Sequence, residues 1–350
     1  MWKSSSNGPK KCAVRRKISP KLKQIVLVLF VLPLVGAVAT PGPTAAADAL
    51  RLESSVVAMG SAYSVVVYGD DRTRMEEAVD AAFAEVQRLD QMLSNYKPES
   101  ELSEINRYAS ERPVTVTQEM YDLLAACVEY SRESEGAFDI TVGPLMKVWG
   151  FYKGTGRLPH RAEVMGALER VGYRNIVLDA AHRTVRFARQ GMELDPGGIG
   201  KGYAVDRMVD VLKNYGIRRA LVSASGSSIY GLGAPPDEKG WKIEIRDPKN
   251  EKKSVAEIYL KDESMSTSGN YEKFFRAEGR IYSHIMDPRT GWPAQGVLSV
   301  SAVTPRTIDS EAWTKPLFVN GRAWASQHRP AGLRALFCED KPEQTCAWLQ

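Results

Sequence analysis

Met192-Glu-Leu-Asp-Pro-Gly-Gly-Ile-Gly-Lys-Gly-Tyr-Ala-Val-Asp206 joins an apolar strand end to an amphipathic helix that continues from Tyr203. The loop between them is dense in glycine, which lets a ligand approach the backbone closely. Free N–H groups at the start of the helix and the ammonium of Lys201 suit a phosphate group. The spacing is neither GxxxxGK[ST] nor GxGxxG, so the loop alone predicts either a phosphate contact or a plain connection with a solvated lysine.

The first 47 residues are typical of an export signal. Residues 1–24 are rich in Lys and Arg and contain no acidic residue, the run Ile25–Val38 is apolar, and Ala45–Ala47 offers an A-x-A cleavage site. This order is that of a secretory signal peptide. We therefore predict a signal peptide over residues 1–47, a single domain over residues 48–350, and a location in the periplasm.

Two alternatives to a cleaved, general secretory signal remain open. Arg15-Arg16 hints at twin-arginine export, although the consensus around the pair is poor. An uncleaved segment would instead anchor the protein to the outer face of the inner membrane, but the apolar run is short for a full span. The formal charge of +5 belongs to this segment, and without it acidic residues outnumber basic ones. Nucleic-acid binding is therefore disfavoured.

Hydrophobic periodicity predicts an alternation of strands and helices without the regularity of a βαβ series. Strands are predicted at residues 54–68 (interrupted at Gly60), 176–179, 184–187, 220–223, 241–245, 256–260, 281–287 and 297–303, and helices at 74–93, 119–134, 203–212 and 308–318. Ser100 is the expected N-cap of a further short helix. The fold class that this order favours is α+β, a single mixed domain with several strands and flanking helices.

Several polar residues lie where chemistry is plausible, although each also has a structural interpretation. His284 ends a predicted strand beside Asp287, which suits a base, a ligand positioner or a structural histidine. Asp309, followed by Glu311 and Thr314, places oxygen atoms within one or two helical turns. Such hard ligands suit Mg²⁺, and a solvated acidic helix start is the alternative.

A second group of residues lies in predicted loops. Met59, Tyr96 and Phe138 could surround a flat heterocycle, while Asp139 and Asp195 could accept hydrogen bonds from ring or ribose groups. Each of these residues is equally consistent with a core or turn position.

The cysteines argue against a zinc site. Cys338 and Cys346 are close enough in sequence to form a disulfide in an oxidising compartment, and Cys127 falls on the apolar face of a predicted helix. The sequence has no CxxC motif and no Cys/His cluster.

Six segments, taken together and in order, carry a family resemblance. They are Met59–Ser61, Leu93–Asn106, Gly136–Leu145, Leu194–Asp206, Thr267–Tyr271 and Ser283–Gly291. In this order they resemble the ApbE family of periplasmic FAD:protein FMN transferases. The resemblance covers about residues 55–320 and implies an ApbE-like, T-fold-related α+β domain rather than a regular Rossmann sheet.

The resemblance also implies an activity and a set of site residues. An enzyme of this kind binds FAD and Mg²⁺, transfers FMN to a Ser or Thr hydroxyl in the motif of an acceptor protein, and releases AMP. The implied FAD contacts are Met59, Tyr96, Ala137, Phe138, Asp139, Asp195, Lys201, His284 and Ile285. The implied magnesium ligands are the carbonyl of Gly198, the carboxylate of Asp309 and the hydroxyl of Thr314. His284 is our hypothesis for the base, so that His284 and Asp309 are the expected catalytic residues.

The chain departs from the family pattern in two places. The usual Asp-Ala-x-x-Thr-Ala-Leu-Phe-Val-x-Gly corresponds to Asp309-Ser-Glu-Ala-Trp-Thr-Lys-Pro-Leu-Phe-Val-Asn-Gly321, with five steps rather than four from Asp309 to Thr314. Either the helix start is bulged, or Glu311 or Ser310 takes part in the metal site. The usual Gly-Gly-Asp-Ile is Gly226-Ser-Ser-Ile229 here, which removes a polar anchor.

Two other functions remain as alternatives to the transferase. Water in place of the protein hydroxyl would make the enzyme an FAD pyrophosphatase that yields FMN and AMP. The altered spacing after Asp309 would also suit a non-catalytic protein that binds or delivers flavin.

Overall fold

The structure, a computed structural model, describes residues 49–154, 156–341 and 346–350. The predicted signal peptide, residues 1–47, lies outside these ranges, so its type and cleavage stay predictions. Within the described part of the chain, no helix combines the length and the apolar character that a membrane span requires.

The described chain forms strands, helices and short 3₁₀ turns, all named here in chain order. The strands are β1 Leu50–Ala58, β2 Ser61–Gly69, β3 Val114–Thr115, β4 Ile176–Asp179, β5 Thr184–Phe187, β6 Ala220–Ala224, β7 Ser228–Leu232, β8 Trp241–Asp247, β9 Asn250–Leu260, β10 Glu263–Gly269, β11 Phe274–Ala277, β12 Arg280–Ser283, β13 Met286–Asp287, β14 Trp292–Pro293, β15 Val297–Thr304, β16 Arg334–Glu339 and β17 Cys346–Trp348. The helices are α1 Arg72–Met92, α2 Glu101–Tyr108, α3 Gln118–Glu133, α4 Gly143–Val148, α5 Arg161–Leu168, α6 Gly200–Asn214 and α7 Thr307–His328, and the 3₁₀ turns are Phe151–Lys153, Tyr173–Asn175 and Pro196–Gly198.

Eight strands form one antiparallel sheet in the order β1-β2-β6-β7-β10-β15-β16-β17. The sheet begins with a hairpin, because Met59 (φ 49°) and Gly60 (φ 67°) both adopt the left-handed conformation that two-residue hairpin turns require. The single interrupted strand predicted over residues 54–68 is therefore two paired strands. The α+β class is confirmed, and the sheet is not of the Rossmann type.

The main core fills one face of this sheet. Helices α1, α6 and α7 pack there, and α6 contributes Ala204, Val205, Met208, Val209 and Leu212 to the buried cluster. Gly202 permits a close approach of α6 to α7, because a Cβ at this position would lie 2.5 Å from the carbonyl oxygen of Thr307. The glycine loop is thereby held against the start of α7.

The opposite face of the sheet is covered by the β8–β9 hairpin. Its inward side chains, Trp241, Ile243, Ile245, Ile258 and Leu260, form a second buried cluster with sheet residues. A third cluster joins α4 and α5 to the small hairpins β11–β12 and β13–β14, and the indole of Trp149 at its centre donates a hydrogen bond to the carbonyl of Gly291 at 2.9 Å. This third cluster fixes the segment that carries His284.

Most predicted elements are present, with boundary differences that have local causes. Helix α6 begins at Gly200 rather than at Tyr203, since the last two glycines of the loop already lie in the helix. The strand end expected at residues 192–195 is reduced to one isolated bridge between Val142 and Glu193. Ser100 caps α2 as predicted, accepting from the N–H of Ser103 at 2.9 Å.

The C-terminal segment adds two strands that the sequence analysis did not predict. Strand β17 pairs with β16, and a disulfide with an S–S distance of 2.08 Å joins Cys338 to Cys346 across them. The pairing considered from the sequence is thus confirmed. Cys127 is a free thiol buried in the main core, also as expected.

Candidate active site

One cavity of about 640 Å³ brings together residues from five of the six resembling segments, which are far apart in sequence. Every predicted FAD contact lines it, namely Met59, Tyr96, Ala137, Phe138, Asp139, Asp195, Lys201, His284 and Ile285. Gly198, predicted as a metal ligand, lines it as well. The cavity is therefore the candidate site.

The glycine loop forms one wall of the cavity and is shaped by hydrogen bonds on both sides. Asp195 caps the 3₁₀ turn Pro196–Gly198 by accepting from the N–H of Gly197 at 2.8 Å. The amide side chain of Asn106 fixes the preceding backbone, accepting from the N–H of Leu194 at 2.7 Å and donating to its carbonyl at 3.0 Å. Burial raises the pKa of the Asp195 carboxyl. The loop is thus held in place by protein groups alone.

Asp139 lines the cavity but is already occupied by its own surroundings. One carboxylate oxygen accepts from the N–H and the hydroxyl of Thr141, and the other accepts from the N–H of Tyr173 at 2.8 Å. Burial raises the pKa of this carboxyl, and these hydrogen bonds oppose the shift. Asp139 therefore acts first as a brace for the loop that carries Phe138.

An aromatic pair forms the rim of the cavity. Tyr96 and Tyr152 stack with ring centroids 4.5 Å apart and an interplanar angle of 26°. The hydroxyl of Tyr96 donates to the carbonyl of Tyr152 at 2.8 Å, and that of Tyr152 donates to the carbonyl of Asn95 at 2.7 Å. Tyr96 remains 65% exposed, so its outer face is available to a flat ligand ring. Tyr152 was not identified from the sequence.

His284 presents one free ring nitrogen to the cavity. Its Nδ1 lies 3.2 Å from the carbonyl oxygen of Lys273, and since a carbonyl only accepts, Nδ1 carries the proton. Burial, with Lys201 and Lys315 nearby, lowers the pKa of His284 to about 4. The imidazole is therefore neutral at physiological pH, and Nε2 has a lone pair that can accept a proton.

Of the three predicted magnesium ligands, one lines the cavity. Gly198 lines the cavity, whereas Asp309 and Thr314 are absent from its lining in the part of the chain that the structure describes. Arg306 binds both carboxylate oxygens of Asp309, at 2.7 and 2.8 Å, and the hydroxyl of Tyr130 donates to the same carboxylate. The fully buried hydroxyl of Thr314 donates to the carbonyl of Glu311 and contacts that of Ser268, each at 2.7 Å.

The helix face that does meet the glycine loop carries Glu311 and Lys315. Glu311 is only 2% exposed, and one of its carboxylate oxygens accepts from the N–H of Gly202. The other, Oε1, lies 3.7 Å from the Nζ of Lys201 and 3.7 Å from that of Lys315. Lys315 also donates from Nζ to the carbonyl of Glu311 at 2.9 Å, and burial lowers its pKa to about 8. Lys315 lines the cavity.

A signal in the sequence identifies this face. The Leu-Phe-Val-x-Gly end of the family pattern matches Leu317–Gly321, which includes two fully buried side chains. When the pattern is aligned from this end, its acid falls on Glu311. Its hydroxyl residue, four positions later, then falls on Lys315. The spacing is then the usual one, no helix bulge is needed, and Glu311 stands at the position of the family's acid.

These residues do not fit a magnesium site. Mg²⁺ requires oxygen ligands in near-octahedral arrangement, and two ammonium groups already face the buried carboxylate of Glu311. The position of the hydroxyl ligand holds Lys315, which has no lone pair to offer when charged. Among the described residues, no group of three or more His, Cys, Asp or Glu side chains is placed to hold a metal ion.

Comparison with known proteins places the chain in a family. The ApbE family profile matches residues 59–337. The FAD:protein FMN transferase of Treponema pallidum is 34% identical over 277 residues, covering 74% of this chain and 76% of that protein. The enzyme of the same name from Salmonella typhimurium is 29% identical over 325 residues, covering 90% and 92%.

Solved structures agree with the sequence comparison. The ApbE protein of Thermotoga maritima superposes with a TM-score of 0.77 at 30% identity, covering 85% of this chain and 97% of that one. The flavinyl transferase ApbE of Pseudomonas stutzeri, in its apo form, gives a TM-score of 0.75 at 28% identity, covering 86% and 94%. With the profile match over most of its length, this chain belongs to the ApbE family and is an enzyme of the transferase class.

Proposed function

We propose that this chain is an FAD:protein FMN transferase that attaches FMN to a Ser or Thr hydroxyl of an acceptor protein and releases AMP. One observation carries the proposal: a single cavity combines an exposed aromatic face, a glycine loop and lysine side chains with a neutral histidine. Its relatives from Salmonella typhimurium and Treponema pallidum, named FAD:protein FMN transferases, support the same activity. FAD is the substrate, and the acceptor protein is the second partner.

The cavity offers a suitable environment for each part of FAD. The outer face of Tyr96 suits a planar ring system. The backbone of the loop around Gly198 and the ammonium groups of Lys201 and Lys315 suit the diphosphate, because both phosphates carry negative charge. Phe138, whose ring lies 3.4 Å from the position of a Cβ on Gly198, adds an apolar surface beside the loop.

The transfer is a substitution at phosphorus. The acceptor hydroxyl oxygen attacks the phosphorus of the FMN half, and the bond from this phosphorus to the bridging oxygen breaks. AMP leaves with that oxygen, and the hydroxyl proton passes to Nε2 of His284, which is unprotonated because Nδ1 donates to Lys273. Lysine charge close to the phosphates stabilises the negative charge that develops in the transition state.

The family resemblance implies Mg²⁺ as a cofactor, and when bound this ion would polarise the phosphates and orient them. Because the donor set described above does not fit the ion, we assign no step to it. We further propose that the chain acts in the periplasm, either free or anchored to the inner membrane, on the strength of the signal-like N-terminal sequence.

The direct test combines the purified chain, FAD and an acceptor protein with a Ser/Thr flavinylation motif. We expect the acceptor to gain the mass of one FMN and AMP to appear in equal amount. AMP and free FMN without an adduct, across several acceptors, would indicate a pyrophosphatase instead. Tight FAD binding with no product of either kind would indicate a flavin carrier and contradict the proposed transfer.

A further inference from the structure

Lys315 lies where the glycine loop, α6 and α7 converge. Its Cε is 3.6 Å and its Cγ 4.0 Å from the position that a Cβ would take on Gly198, so the side chain runs along the loop. Its Nζ donates to the carbonyl of Glu311 and lies 3.7 Å from the carboxylate of the same residue. The ammonium is therefore part of the cavity wall rather than a solvated surface charge.

Helix geometry explains why this lysine reaches the loop. Residues four apart lie on the same face of a helix, so Glu311 and Lys315 point in the same direction. The register of α7 is fixed by Leu317 and Phe318, which are fully buried in the main core. Lys315 consequently occupies the helix position from which the family pattern presents a hydroxyl.

Lys315 and Lys201 are the two cations that face Glu311, and Lys273 also lines the cavity. Both ammonium groups face Oε1 of Glu311 at 3.7 Å, and the other carboxylate oxygen is taken by the N–H of Gly202. A divalent cation at the same carboxylate would have to displace both lysines or accept their repulsion. Asp309, the nearest alternative acid in the sequence pattern, is bound by Arg306 and is not among the cavity residues that the structure describes.

We propose that the ammonium of Lys315 takes the place of the divalent cation in this chain, so that FAD binding and FMN transfer require no metal ion. Lys315 and Lys201 together neutralise the diphosphate, and Lys315 contacts the phosphate oxygens directly. Bond making and breaking stay as written for the proposed transfer: the lysine supplies charge and hydrogen bonds and neither gains nor loses atoms. The inference rests on the proposed function, because FAD is the ligand that it considers.

The test measures FAD binding separately from transfer. Wild-type protein, stripped with EDTA, is titrated with FAD by flavin fluorescence in EDTA and in millimolar Mg²⁺. We expect the two dissociation constants to agree within about twofold, and the transfer rate to be equally insensitive. Mn²⁺, added as a spectroscopic probe, should show no specific site by electron paramagnetic resonance in the presence of FAD.

Lys315→Met separates the ammonium from the shape of the side chain. We expect FAD affinity to fall about tenfold or more, with no recovery on adding Mg²⁺. Lys242→Met is the matched control, since Lys242 lies on the β8–β9 hairpin, where it pairs with Glu257 at 2.6 Å, and should leave affinity unchanged. Thermal melts of both variants establish that they are folded.

The outcomes separate this inference from the proposed function. FAD affinity or transfer that falls about tenfold in EDTA and returns with Mg²⁺ would overturn the role of Lys315 while leaving the transferase intact. Metal-insensitive FAD binding that depends on Lys315, without any FMN adduct, would support the role of Lys315 while overturning the transfer. Failure of the wild-type protein to bind FAD at all would overturn both.

Discussion

The first turns of α7 present two acids on opposite faces, and their environments differ sharply. Asp309 has a side chain that is 22% exposed and is bound by Arg306, whose own side chain is 66% exposed. Glu311, two residues later and therefore on the other side of the helix, is 2% exposed and is enclosed by Gly202, Lys201 and Lys315. The comparison teaches that helix phase, rather than the identity of the acid, decides which carboxylate belongs to the site.

The largest expected effect comes from neutralising Glu311, the acid that faces the glycine loop. Glu311→Gln keeps the size of the side chain but leaves Lys315 without its buried counter-charge. Removing one partner of a buried pair costs about 3–5 kcal/mol, and we expect a loss of this order in the free energy of unfolding. Chemical denaturation of the apoprotein measures this free energy. A loss below about 1 kcal/mol would show that Glu311 and Lys315 do not form a buried pair.

A large effect on the transfer rate is expected at His284, which lines the same cavity as Lys315. His284→Gln removes the base while retaining a hydrogen-bonding side chain, so the transfer rate should fall about 100-fold. FAD affinity should change little, since the proposed contacts to the phosphates come from the lysines. Single-turnover transfer and FAD titration measure the two quantities separately, and unchanged transfer would remove His284 from the chemistry.

Lys315→Thr sharpens the comparison, because it restores the hydroxyl of the family pattern on the side of α7 that carries Glu311. Glu311, the carbonyl of Gly198 and the new hydroxyl would then be oxygen ligands for Mg²⁺. We expect FAD affinity in this variant to rise about tenfold on adding Mg²⁺, a response that the wild type lacks. If the variant and the wild type responded equally, the residue at position 315 would not control the metal requirement.

A smaller effect is expected for Asp309, the acid on the other side of α7. Asp309→Asn weakens a partly exposed pair with Arg306 and should cost about 1 kcal/mol or less in the free energy of unfolding. FAD affinity and transfer should stay close to the wild-type values. The same denaturation and binding assays measure these quantities, and a loss of FAD binding larger than that of Glu311→Gln would reverse the assignment of the two faces.

The smallest expected effect is the pH response of His284. Its pKa is lowered from 6.5 to about 4, so its NMR resonances should not titrate between about pH 5 and pH 8. The unfolded chain takes up this proton first as the pH falls, so the stability that the neutral ring contributes is complete above about pH 6.5 and is lost as the pH drops towards about 4. A midpoint near 6.5 in the folded protein would show that the ring is solvated.

The sequence was sufficient for the parts of the molecule that depend on local pattern. The hydrophobic periodicity of α1 and α6 places these helices with small boundary errors. The alternation over residues 54–68 predicts strand structure, but not that β1 and β2 are separate strands paired as a hairpin. The nine predicted FAD contacts lie within motifs whose residue types are specific, and the fold brings all nine to one cavity. Such residues can be predicted because their immediate neighbours in sequence define their position.

The acid of α7 could not be assigned in the same way. Asp309 matches the residue type of the family pattern, whereas Glu311 matches its position relative to Leu317 and Phe318. Only the buried apolar residues show which face of the helix meets the sheet, and this is a tertiary property. Tyr152 was missed for a related reason, since its partner Tyr96 lies 56 positions away in the chain.

A positive charge that is covalently part of the chain behaves differently from a metal ion that binds from solution. Lys315 is present at one equivalent in every molecule from the moment of synthesis, and no chelator or competing ion can remove or replace it. A site built on this ammonium is therefore insensitive to the supply of divalent metal around the protein. The charge at such a site is also smaller and cannot be varied. A lysine contributes one unit of charge where Mg²⁺ contributes two, and no other ion can be exchanged for it.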